Sequence, residues 1–146
     1  MTESLKAQLE RELKEARKER DRLRTTVLSS TLSELRNMEI EEGGEADDEM
    51  VKRVLTRALK QRKEAADQMR AGNREELAEK EDREAEILSD FLPPPLDEEE
   101  VRVMVREIVQ DGTAEMGPVM GRLMPRIRGR FDGKEANRIV REELST

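Results

Sequence analysis

Leu5, Leu9, Leu13 and Ala16 recur at intervals of three and four, the spacing of one face of an amphipathic helix. A second such stripe carries Val27, Leu28, Leu32, Leu35 and Met38, with Asp21 in position to cap it. No Gly or Pro marks the join, so the pattern allows either a break at Arg20–Asp21 or one continuous helix. Gly43-Gly44 then gives a loop. A third helix begins near Asp47 or Asp48, with Val51, Val54, Leu55, Ala58, Leu59, Ala65 and Met69 as its stripe. It ends at Ala71-Gly72-Asn73, where Gly72 suits the left-handed residue after a helix. The fourth helix runs from about Arg74 to Phe91, with Leu77, Ala85, Leu88, Phe91 and Leu92 on its apolar side.

Pro93-Pro94-Pro95 stops that helix and favours a stiff extended segment. Asp97 opens the next helix with a capping-box pattern to Glu100, and Leu96 and Val101 stand at the staple spacing. Val101, Met104, Val105 and Ile108 face the core, and Gly112 ends the helix. Pro118 fits the first turn of a sixth helix that buries Met116, Val119, Met120, Leu123, Met124 and Ile127. Gly117 and Gly121 on its shoulder leave room for another helix, and Pro125 should kink or end it. Asp132 and Glu135 repeat the capping-box pattern before a last helix with Ala136, Ile139, Val140 and Leu144 inward. The expected fold is therefore all-α: a four-helix N-terminal unit (1–92), a Pro-rich hinge (93–96) and a small three-helix C-terminal tail bundle (97–146).

Composition narrows the chemistry. The 146 residues contain no Cys, His, Trp or Tyr and two Phe, which excludes disulfides, thiol nucleophiles, histidine bases and the usual zinc sites. Glu79, Glu81, Glu84 and Glu86 are close in sequence, but helical carboxylate metal centres also supply His, so no metal site is expected. No Gly-rich phosphate loop and no Ser with an activating base stand out, so no catalytic residue and no cofactor is expected. The N-terminal MTESLKAQLERELK lacks an apolar signal core, and no apolar run approaches membrane-spanning length. These features predict a soluble cytoplasmic protein without a membrane partner.

Charge is uneven along the chain. The net charge is −7. Yet Gly117–Arg141 holds seven bases (Arg122, Arg126, Arg128, Arg130, Lys134, Arg138, Arg141) against Asp132 and Glu135, a net of +5. Bases along one surface are the footprint of phosphate contact, and ordinary solvated helix faces give the same pattern. A second run, Lys52–Lys63, has six bases and no acid, but follows seven acids in Glu39–Glu49 that offset it.

One pattern predicts a contact. Arg62 falls within the third apolar stripe, and Glu81 and Glu84 fall within the fourth. Arg62 lies ten residues before Gly72, and Glu81 and Glu84 lie nine and twelve after it. If the chain turns at Gly72 they meet, and a shielded salt bridge from Arg62 to Glu81 or Glu84 is expected. Removing Arg62 would then cost roughly 3–5 kcal/mol.

Three segments resemble the YqeY-like family: KQRKEAADQ (60–68), GNREELAEKEDREAEILSDFLPPPLDEEE (72–100) and MGPVMGRLMPRIRGRFDGKEANRIV (116–140). Phe91 stands where the family usually has Tyr, and the loop before Met116 is short. The resemblance implies a helical N-terminal unit and a three-helix tail. That tail resembles the tail domain of the B-type component of the tRNA-dependent amidotransferases, which contacts tRNA. It implies an accessory tRNA-binding protein, with tRNA and an amidotransferase or other translation-related protein as partners. A protein–protein adaptor without nucleic acid is the alternative. A carbon–nitrogen ligase using glutamine as amide donor follows from family association alone.

Overall fold

The computed structural model describes residues 3–145. They form seven helices: α1 (Leu5–Lys18), α2 (Arg22–Glu42), α3 (Asp48–Ala71), α4 (Glu75–Ser89), α5 (Glu98–Gln110), α6 (Met116–Ile127) and α7 (Gly133–Leu144). There is no strand among the described residues, and no helix is long and apolar enough to cross a membrane. The chain divides into two compact units between Leu92 and Pro93.

In the first unit the helix starts are fixed by short polar side chains. Ser4, Asp21 and Asp47 accept from the backbone N–H groups of Ala7, Arg24 and Met50 at 3.1, 3.1 and 2.9 Å. This is the capping geometry that satisfies orphan donors of a first turn. The chain does break between α1 and α2. Arg20 takes the left-handed conformation (φ 58°), and the Asp21 N–H donates to Ala16 O at 3.0 Å. A non-glycine residue here explains why no punctuation was visible. The α3–α4 turn differs from expectation in a related way: Asn73, not Gly72, is left-handed (φ 59°), and Gly72 has φ −92°. Asn is the L-residue that adopts this region most readily.

The first core joins Leu9 and Leu13 of α1, Val27, Leu28 and Leu35 of α2, Val51, Val54 and Leu55 of α3, and Leu88, Phe91 and Leu92. Ala58, Ala85 and Leu88 are buried as expected, but next to the α3–α4 turn the inward positions lie one residue from the expected stripes. Ala66 is buried and Ala65 only partly so, while Ala78 is fully buried and Leu77 is exposed. Alanines near a tight turn let the two backbones approach closely, which a leucine would prevent.

Arg62, Glu81 and Glu84 meet in this same interface. Arg62 Nε lies 3.5 Å from Glu84 Oε2, with the two side chains 18% and 13% exposed. The Arg62 Nη1 donates to Ala58 O at 3.3 Å, while Nε has no hydrogen-bond acceptor. Burial pushes the Glu84 carboxyl above its ordinary range, and the adjacent negative Glu81 carboxyl, placed to hydrogen-bond it, pushes the same way. Arg62 and Lys80 pull in the opposite direction. Glu84 is thus a partly shielded acid between one acidic neighbour, Glu81, and two cations, Arg62 and Lys80.

The second unit packs Val101, Val105 and Ile108 of α5 against Val119, Leu123 and Ile127 of α6 and Ala136, Ile139 and Val140 of α7. The capping box at α5 is formed: Asp97 Oδ1 accepts from Glu100 N–H at 2.8 Å, and Glu100 Oε2 accepts from Asp97 N–H at 3.3 Å. Leu96 packs on this core as the staple requires. Its N–H donates to Arg130 O at 2.8 Å, and Arg130 Nε donates to Pro94 O at 3.1 Å. These two bonds tie the proline segment to the α6–α7 loop.

Three expectations for this unit need correction. The end of α6 expected at Pro125 comes two residues later, since the helix takes the proline in and continues to Ile127. No helix approaches Gly117 or Gly121, since a Cβ at either would meet nothing within 4 Å. Asp132 makes no side-chain cap, and the Glu135 carboxylate that would complete the box is engaged by Arg138 at 2.8 Å.

Candidate nucleic-acid interface

The tail arginines do not stand as an open cationic face. Each is held by a neighbouring group. Arg122 on α6 donates to Asp111 Oδ2 and Thr113 Oγ1, both at 3.1 Å, and Arg126 lies 3.5 Å from Glu107. Both acceptor carboxylates belong to the C-terminal end of α5. Arg138 on α7 pairs instead with Glu98 at the other end of α5, and with Glu135 and Glu142 on its own helix. Glu98 and Glu107 are nine residues apart, roughly 13 Å along a helix axis. The seven bases are therefore distributed over the bundle and not gathered in one cluster. Arg128 and Arg130 are half-buried in the α6–α7 loop, where Arg130 fastens the proline segment. Lys134 is exposed, and Arg141 is exposed with its Nε donating to Asn137 Oδ1 at 3.0 Å.

The electrostatics follow from these pairings. The guanidinium of Arg138, assisted by Arg102, holds the Glu98 carboxyl below the usual range. Arg102 does the same for Glu142, and Arg106 with Arg102 for Glu143. The Arg138 guanidinium is raised in turn, first by Glu135 and then by Glu98. From Pro93 onward there are nine bases and eleven acids, a net of −2. The +5 of the contiguous span is thus more than offset by the acids of α5 together with Asp97, Asp111, Glu115, Glu142 and Glu143.

Sequence reasoning passed over Arg102 and Arg106. Arg102 reaches Glu98, Glu142 and Glu143 at 3.2, 2.8 and 3.3 Å, and Arg106 reaches Glu143 at 3.0 Å. The two stand one turn apart on α5, beside its apolar stripe, and clamp the end of α7. That i, i+4 spacing next to the buried valines was the available signal.

What the arrangement offers chemically is a set of guanidinium groups fixed in place by exposed carboxylates, with no stacking surface beyond Phe131. Among the described residues no group of three or more His, Cys, Asp or Glu is arranged to hold a metal ion.

Comparison with known proteins bears on the reading. The chain is 30% identical over 108 residues to Altered inheritance of mitochondria protein 41, mitochondrial, of Lachancea thermotolerans, covering 72% of this chain and 58% of that protein. The protein of the same name from Clavispora lusitaniae is 34% identical over 99 residues, covering 66% and 58%. A shorter match, 40% identical over 60 residues, is to a Glutamyl-tRNA(Gln) amidotransferase component, the E-type one, of Methanospirillum hungatei, covering 36% of this chain and 10% of that protein. The chain spans 58% of the length of the two mitochondrial relatives.

The cytoplasmic location expected from the N-terminus does not stand against these relatives, which are mitochondrial proteins. A charged N-terminus without an apolar core argues against a secretory signal. It does not separate one aqueous compartment from another. The profile of the Yqey-like protein family matches residues 6–144. With that match spanning nearly the whole chain, the protein belongs to the YqeY-like family.

Proposed function

We propose that this protein is an accessory tRNA-binding protein associated with a glutamine-dependent tRNA amidotransferase. In this reading a four-helix unit is followed by a short proline hinge and a three-helix tail, and the tail contacts tRNA. The observation that carries it is the likeness to an amidotransferase component whose name specifies a tRNA substrate. The exposed bases of the tail support it. Arg122, Arg126, Lys134 and Arg141 all reach solvent. Arginine is suited to phosphate because its planar fork presents paired donors.

The carboxylates already bound to these arginines set the affinity. A phosphate must displace Asp111 or Glu107 before it pairs, so binding is weak and strongly dependent on salt. Neutralising about three phosphates gives a slope of log K against log salt near −3. With Phe131 as the one aromatic side chain of the tail, recognition rests on the shape and phosphates of a folded RNA, not on base stacking.

The test is retention of tRNA by the wild type and by an Arg122→Gln, Arg126→Gln, Lys134→Gln, Arg141→Gln variant, at about 50 and about 200 mM salt. Gln is preferred to Glu because a carboxylate at Arg122 or Arg126 would face Asp111 or Glu107. The expected outcome is retention by the wild type at low salt and loss in the variant. If the wild type retains no tRNA at low salt, the adaptor reading replaces this one. Glutamine-dependent turnover by the isolated protein would favour the ligase.

A further inference from the structure

Between α1 and α2 runs an open groove of about 640 Å³, lined by Lys14 and Arg17 on one helix and Ser29, Ser33 and Arg36 on the other. Helical spacing makes it continuous. Positions 14 and 17 are one turn apart on α1, and 29, 33 and 36 fall on one stripe of α2. Leu13 and Leu32 form its floor, Leu13 being buried.

The charges of the groove are distributed unevenly. At one end Lys6 is held by Glu39 at 2.9 Å and by Glu45 at 3.5 Å. Beyond it, the side chains of Lys14, Arg17 and Arg36 are exposed and make no ion pair or hydrogen bond with the described residues. Arg36 acts on Glu39 through its longer-range field and makes no direct pair with it. This contrasts with the tail, where arginines sit against carboxylates. In a chain with 35 acids and 28 bases, three neighbouring cations without an ion pair have unspent capacity for an anion, although Glu10 and Glu39 share the groove.

We propose that this groove binds the phosphates of an RNA strand. Three cations and two hydroxyl donors are the side-chain types that contact phosphate oxygens. Ser29 and Arg36 are seven residues apart, roughly 10 Å along the helix, so the donors span more than one phosphate. The groove offers a partner helix little apolar surface to bury, since its leucines are already packed in the core. It has no aromatic side chain, so bases are not stacked and sequence is not read. Glu10 on the same wall keeps the affinity moderate. The ligand class is that of the tail reading, but no residue is shared, so either surface fails alone.

The experiment measures binding of a fluorescein-labelled oligouridine strand to the full-length protein, using wild type, Lys14→Gln/Arg17→Gln/Arg36→Gln, and the tail variant. All three groove positions are exposed and unpaired, and an unchanged circular dichroism spectrum and melt confirm folding. The groove variant is expected to bind about tenfold more weakly, with the salt slope reduced by about two to three. The tail variant is expected to keep the binding that the groove variant loses. The proposal is overturned if the groove variant binds as tightly as wild type with the same slope, or if wild type binds no oligouridine. It is equally overturned if polyglutamate occupies the groove as tightly as RNA, which would assign it to an acidic protein segment.

Discussion

Replacing Arg62 by Met keeps the aliphatic stem packed between α3 and α4 and deletes the charge. At 3.5 Å from Glu84 the gross attraction is about 5 kcal/mol for an effective dielectric near 20. The loss cannot reach that figure, because Glu84 has an escape: it takes up a proton. At pH 7 the cost of protonating a carboxyl with an ordinary value of 4.5 is about 3.4 kcal/mol. Burial and Glu81 already push Glu84 upward, which lowers that cost. The expected destabilisation at pH 7 is therefore about 2–3 kcal/mol, below the 3–5 kcal/mol of a fully stranded charge. The sign of the pH dependence follows. Without Arg62 the folded Glu84 keeps the upward push of burial and Glu81, so its contribution to stability is fullest below the unfolded value of 4.5 and is lost as pH rises through the raised folded value. The penalty should shrink by up to about 1.4 kcal/mol for each pH unit from 7 toward 5. Urea unfolding followed by circular dichroism at the two pH values reads this directly. Adding Glu84→Gln to Arg62→Met should recover most of the loss at pH 7. A penalty equal at both pH values, or below about 0.5 kcal/mol at pH 7, would refute the reasoning.

Arg20→Gly removes a side chain from the left-handed region and should stabilise the first unit by up to about 1 kcal/mol, read from the urea midpoint. Asp97→Ala breaks the formed capping box and should cost about 1 kcal/mol; a null effect would mean the box is not populated in solution. In the second unit Glu98, Glu142 and Glu143 titrate below their ordinary value in the folded state. Their stabilisation is present above 4.5 and lost as pH falls through the folded values, so this unit should loosen in acid, seen as a falling melting temperature below about pH 4.5.

Helix content was legible in the sequence because the apolar residues keep the helical period through a chain poor in aromatics. Asp21, Asp47 and Asp97 announced three helix starts, and each accepts from the backbone as a cap should. Two of the failures depended on what lay opposite and two on local detail that the apolar period does not carry. Asp132 has the sequence of a capping box, but its side chain caps nothing and the Glu135 carboxylate is held by Arg138. Leu77 has the period of a core residue, but the closeness of α3 and α4 at their turn selects Ala78. The tail bases looked like a positive face because α5, which brings the neutralising Glu98, Glu107 and Asp111, is distant in sequence. The break at Arg20 gave no signal because an arginine occupies the conformation where glycine is the usual marker.

The Arg62–Glu81–Glu84 trio has one more consequence, for the uniqueness of the fold. The buried part of the α3–α4 interface is otherwise lined by small and aliphatic side chains such as Ala58, Ala66, Ala78, Ala85 and Leu88, with the Arg70 pairs to Glu75 and Asp82 at its exposed rim. Such a surface discriminates poorly between alignments shifted by a helical turn, since alanine meets alanine or leucine in each. A single charged trio does discriminate, because a shift parts the cation from its carboxylate inside a shielded interface. The trio thus works as an index pin for the helical hairpin. Replacing all three by aliphatic residues should leave the melting temperature level or higher while multiplying the amide resonances of α3 and α4, as alternative alignments become populated.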